Sequence, residues 1–151
     1  MVMTNAEIET LVAQFQKKTL PDKEWTHEAH LVVACWNLMK YPKDEATHYL
    51  RTSIISYHSA LGGSHTLSRG YHETITLFWI EIIHQFLNAT EGDIATKTTA
   101  FMKSEWASKD LFFKYYTESV LFSVKARARF VAPDIQPMLI TPATISNDTV
   151  S

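Results

Sequence analysis

The chain has almost none of the residue that builds covalent or thiolate frameworks: 151 residues include a single cysteine, Cys35. One thiol cannot close a disulfide within the chain, nor supply the several thiolates of a zinc knot. Cys35 lies in the apolar run LVVACW, where a thiol reads as a small buried hydrophobe. A charge surplus is also missing. Fourteen basic against sixteen acidic residues leave −2, and a protein that coats nucleic acid or an anionic membrane needs a basic excess. Neither is expected as a partner. No apolar run approaches the ~20 residues of a membrane span. The N-terminal MVMTNAEIETL has neither the basic start nor the apolar core of a secretory signal. The expectation is a soluble, cytoplasmic protein.

Glycine and proline are scarce too, at four and five residues. Gly62, Gly63, Gly70 and Gly92 fall between periodic segments, and Pro21, Pro42, Pro133, Pro137 and Pro142 interrupt no helical pattern. Both residue types weaken helix interiors, so this punctuation predicts an all-α fold. What is present is a hydrophobic fraction of 46%, enough for one core in a chain of this length. Thr4 and Glu7 form a capping box ahead of Ile8, Leu11, Val12 and Phe15, predicting a helix from about 5 to 18. A second starts near Thr26 as N-cap, ends before Tyr41-Pro42 and is apolar on nearly every side, hence central. A third begins at Pro42 with Ala46, Tyr49, Leu50, Ile54, Tyr57 and Leu61 inward, and Gly62–Gly63 ends it. A fourth spans about 71 to 88. Shorter helices follow at about 93–103, 108–115 (cap Ser108) and 117–129 (cap Thr117). The predicted organisation is a bundle of four main helices plus shorter C-terminal ones over 1–132. An extended tail follows over 133–151, packed through Met138, Leu139 and Ile140 and then frayed.

The chain holds seven histidines. His48, His58, His65 and His84 have no partner at useful spacing. His27 and His30, in WTHEAH, differ: positions i and i+3 share a helix face. They also lie in a first turn, where free N–H groups and the helix dipole favour neutral imidazole. GYHET places His72 and Glu73 at the start of the fourth helix. If helices two, three and four run up, down, up, helices two and four are parallel and their starts meet. His27, His30 and His72 would then supply imidazoles for a divalent iron or zinc ion. His72 and Glu73 would form the catalytic pair, with Glu73 as base or orienting partner because adjacent helical residues point about 100° apart. Trp25 and Tyr71 would wall the pocket, with Arg69 on the adjoining loop. In KARARF the basic residues complement a helix end. The alternative is that one arginine of the run, Arg127 or Arg129, turns inward to a carboxylate, a substrate's or that of Glu73, with Tyr115 and Tyr116 lining the same pocket; Arg129 is counted among the candidate substrate-binding residues.

WTHEAHLVVACW, GYHETITLFWIEII and YYTESVLFSVKARARFVAPD together resemble a family of small, mostly bacterial helical proteins of about this length and of unknown function. The resemblance covers residues 25 to 134 and falls on His27, His30, Tyr71, His72, Glu73, Thr74, Thr76, Tyr116, Arg129, Phe130 and Asp134. It implies no reaction. More loosely the layout is similar to DinB-like bundles, which gather three histidines around a metal; that is analogy at the level of fold. The leading expectation is an enzyme for a small organic molecule, either metal-dependent or using a His/Glu acid–base pair. A non-enzymatic module holding an apolar ligand among the eight Phe, six Tyr and four Trp is the alternative. Helix two or four could also serve a homodimer interface.

Overall fold

Helix α1 (Asn5–Gln16) starts where the capping box places it. The Thr4 hydroxyl accepts from the Glu7 N–H at 3.1 Å, and the Glu7 carboxylate accepts from the Thr4 N–H at 3.1 Å. It stops at Gln16 rather than near 18, because Lys18 takes a left-handed φ of 60°. The N–H groups of Thr19 and Leu20 both turn back to the Gln14 carbonyl. The structure, a computed structural model, describes residues 3–66 and 69–140, and among these it is all-α, with no strand.

Helix α2 (His27–Lys40) is capped by the Thr26 hydroxyl, which accepts from the Ala29 N–H at 3.2 Å. It is the central element, in contact with α1, α3 (Lys43–Ala60), α4 (Glu73–Asn88) and α5 (Ile94–Lys103). Leu31, Val32, Val33 and Cys35 on it are at most 2% exposed. Each such apolar side chain contributes about 1.5–3 kcal/mol when fully buried. Cys35 is an inert core group, its thiol pushed up to about 12 by burial. Helix α3 lies more superficially: Ala46, Leu50 and Tyr57 are buried, whereas Tyr49 and Leu61, expected inward, are about 40% and 45% exposed.

The largest departures lie after α5. In place of the predicted helix over 108–115 there is one short 3-10 turn, Leu111–Lys114, and a second, Glu105–Ala107, precedes that range. Neither is closed by a side-chain cap, and the run instead drives Trp106, Leu111, Tyr115 and Tyr116 into the core. The predicted helix over 117–129 breaks into α6 (Glu118–Leu121) and α7 (Val124–Ala128). Ser123 causes the break: its hydroxyl donates to the Val120 carbonyl and accepts from the Ala126 N–H, ending one helix and capping the next. Thr117 does not cap through its side chain; Asp134 receives both its N–H and its hydroxyl. The segment after 132 is anchored as far as Ile140. Gln85 donates to the Met138 carbonyl and accepts from the Ile140 N–H, and Ile140 is buried while Leu139 is exposed. The fraying expected beyond it lies outside the described residues.

Candidate functional site

The first half of α2, the second half of α3 and the first half of α4 enclose a cavity of about 550 Å3. Trp25, His27, His30, Leu31 and Ala34 come from the α2 end, and Leu50, Ile54, Tyr57 and His58 from α3. Tyr71, His72, Ile75, Thr76 and Trp79 come from the α4 end. The starts of α2 and α4, two helices that pack directly on each other, thus meet the 50–58 part of α3, the grouping that an up-down-up order of the three helices predicts. Phe112, from the C-terminal segment, adds to the wall.

Four histidines line the cavity, and each spends one ring nitrogen on a backbone carbonyl. His27 Nε2 donates to Ala107 at 2.8 Å, His30 Nδ1 to Thr26 at 2.7 Å, His58 Nε2 to Ser64 at 3.1 Å and His72 Nε2 to Leu121 at 2.7 Å. A carbonyl only accepts, so each of these nitrogens carries the proton and each tautomer is set. In His72 the second nitrogen is used too: Nδ1 accepts from the Ile75 N–H at 3.1 Å. His72 is therefore not a first-turn residue of α4, as expected, but its N-cap. Burial, and secondarily the positive charge of Arg127, push its pKa below the ordinary 6.5 against the pull of the Leu121 carbonyl.

This corrects the expected metal set. With both nitrogens bonded, His72 has no lone pair for an ion, so His27, His30 and His72 do not form a three-imidazole centre for iron or zinc. Among the described residues no group of three or more His, Cys, Asp or Glu side chains is placed to hold a metal. The same two bonds remove His72 as an acid or base toward a bound molecule.

His30 is the contrasting case. Its ring lies 3.8 Å from the Trp25 ring, centroid to centroid, and Trp25 stacks in turn on Phe15 at 4.3 Å. With Nδ1–H tied down, Nε2 carries the free lone pair. Burial lowers the pKa below 6.5, the Thr26 carbonyl opposes this, and nearby His27 adds to the lowering. His30 is thus neutral at pH 7, with a bare nitrogen on a ring that lines the cavity.

Glu73 does not line the cavity. Burial raises its carboxyl, but Arg51 and Tyr71 outweigh that and hold it below the ordinary value. Arg51 grips it with two bonds, Nε to Oε1 at 3.0 Å and a terminal nitrogen to Oε2 at 2.7 Å. The Tyr71 hydroxyl donates to Oε1 at 2.6 Å. Burial first, then the Glu73 carboxylate, push the Tyr71 hydroxyl up to about 12. Glu73 is a fixed carboxylate that positions the Tyr71 ring, a placement nearer to the orienting role than to the base among the two expected of it.

Of the expected substrate-binding residues, Trp25 and Tyr71 line the cavity, and Arg69, Tyr116 and Arg129 do not. Arg69 is an exposed turn residue whose N–H meets the Thr66 hydroxyl. Tyr116 is 1% exposed, its hydroxyl donating to the Val131 carbonyl at 2.6 Å. Arg129 is exposed and contributes its own carbonyl to Thr74. The arginine that meets Glu73 is Arg51, while Arg127 donates to the Gly70 and Tyr71 carbonyls and ties down the loop before α4. Nothing in the local pattern marked Arg51, because its partner lies 22 residues away on another helix. Trp79 was legible in principle: it lies on the α4 face shared by His72, Ile75 and Thr76. No protein-family model, no curated protein and no solved structure matches this chain.

Proposed function

We propose that the protein is an enzyme acting by general acid–base chemistry on a small organic molecule held in the α2–α3–α4 cavity, with His30 as the base. The observation that carries this reading is the state of His30: tautomer set by Thr26, Nε2 bare, charge kept off by burial. A base is most effective when its pKa lies near the working pH and its proton acceptor is within reach of the bound molecule. The cavity volume fits a compound in the small-metabolite range. Trp25, Tyr57 and Trp79 supply flat apolar walls against which a ring compound can stack. The Arg51–Glu73 pair is neutral as a unit and holds the Tyr71 wall in place.

The test uses 5-nitrobenzisoxazole, a flat probe whose ring opens when a base removes its C3 proton and the N–O bond breaks to a phenolate nitrile. Saturable release of the coloured phenolate, lost in His30→Gln with the helical circular dichroism unchanged, is the expected result. The rate falls on the acid side with an apparent pKa below 6.5. No saturable turnover, or full turnover in His30→Gln, refutes the base. Saturable quenching of tryptophan fluorescence without turnover would instead make the chain a ligand-binding module, the reading that the aromatic walls favour second.

A further inference from the structure

The polar atoms left without protein partners in the cavity define what kind of molecule it takes. His27, His30 and His58 each commit one N–H to a backbone carbonyl, which leaves His27 Nδ1, His30 Nε2 and His58 Nδ1 as bare acceptors. The indole N–H groups of Trp25 and Trp79 have no acceptor among the described residues, and both side chains are half-buried against the cavity. The other polar side chains there are spent: the Tyr57 hydroxyl on the Leu20 carbonyl, Thr76 on the His72 carbonyl, Tyr71 on Glu73. Among the described residues, no lysine or arginine side chain is available inside. Arg51 is paired with Glu73, and the lining's one lysine and one aspartate, Lys109 and Asp22, are both exposed.

Resting on the cavity being the site proposed above, we infer that it binds an uncharged ring compound carrying hydroxyl groups, a phenol or a diol, each hydroxyl donating to a bare imidazole nitrogen. The hydroxyl is the group that answers both halves of this lining, because it donates to imidazole and accepts from an indole N–H. A carboxylate or phosphate is disfavoured: it brings only acceptors to a wall of lone pairs and loses its hydration without a countercharge. The hydroxyl donating to His30 Nε2 is also the proton that a base at that position would take, which joins the ligand class to the proposed chemistry.

Binding is read by quenching of tryptophan fluorescence with catechol, resorcinol, their dimethyl ethers and benzoate. Catechol and resorcinol are expected to bind at least about tenfold more tightly than their ethers, the equivalent of one lost hydrogen bond of about 1.4 kcal/mol. Benzoate is expected to bind more weakly than either diol. His30→Phe, which keeps a ring on Trp25 but removes the nitrogen, removes most of the preference; His27→Phe serves as the second variant should the first not fold. Ethers binding as tightly as the diols, or benzoate binding more tightly, overturns the ligand class. That outcome leaves the base intact if the benzisoxazole still opens through His30. Loss of ring opening with the diol preference retained refutes the base alone.

Discussion

Replacing His72 separates a structural histidine from a catalytic one. In His72→Ala two bonds go at once. The Ile75 N–H loses its capping acceptor, at about 1 kcal/mol. The Leu121 carbonyl loses its donor in a place where His72 is 8% exposed and Leu121 0%. An unsatisfied buried acceptor costs about 1–3 kcal/mol. The sum is about 2–4 kcal/mol, which in a chain of this length lowers Tm by roughly 6–12 °C. His72→Asn keeps a capping side chain but does not reach Leu121, and recovers about 1 kcal/mol of the loss. Denaturant unfolding followed by circular dichroism measures both variants. Stability of His72→Ala within about 0.5 kcal/mol of the parent would refute the reasoning, as would His72→Asn no better than His72→Ala. The pH dependence supplies a second reading. A histidine whose folded-state pKa is below its unfolded 6.5 binds more protons when unfolded. Its contribution is present above 6.5 and is lost as the pH falls through the lower folded value. His30 and His84 shift the same way, so the parent destabilises on acidification below 6.5, and His72→Ala does so less steeply.

Arg51→Met leaves the Glu73 carboxylate with its burial and without its cation. NMR titration should find that carboxyl raised relative to the parent, with a stability loss of about 1–2 kcal/mol after solvent screening; an unchanged titration would mean that Arg51 does not hold it. In the parent, the lowered Glu73 pKa stabilises the fold above about 4.5, and that part is lost as the pH falls through the folded value. Gly70→Ala places a Cβ 2.8 Å from the Ser64 carbonyl oxygen at a residue with φ of +93°, so a loss of about 1–3 kcal/mol is expected in thermal unfolding. Tyr116→Phe removes the bond to the Val131 carbonyl and should cost about 0.5–1.5 kcal/mol; a larger loss would point to a role beyond that bond.

Local signals located the main helices because their causes are local. Thr4 and Thr26 cap the helices that follow them, and the continuous apolar run of α2 marked it as central. Those signals failed where side chains competed with the backbone. Ser123 divides a predicted helix by capping, and His72 spends its ring on a cap and a distant carbonyl where a metal ligand was expected. Half of the candidate site was readable as well. WTHEAH put His27 and His30 on one face, and the topology of short connections put them opposite Tyr71 and His72. Arg69, Tyr116 and Arg129 were plausible by composition and lie elsewhere.

By itself, the sequence determined the all-α class, the helix starts and the helix ends that carry the cavity's histidines, because capping and periodicity act over three or four residues. The tertiary structure alone decided what His27 and His72 do, whereas His30 takes its acceptor, the Thr26 carbonyl, from its own helix start. The carbonyls of Ala107 and Leu121 lie 80 and 49 residues from the rings they bind. For those two rings, which nitrogen carries the proton depends on which acceptor folding brings within about 3 Å, and neighbours in the chain carry no record of that.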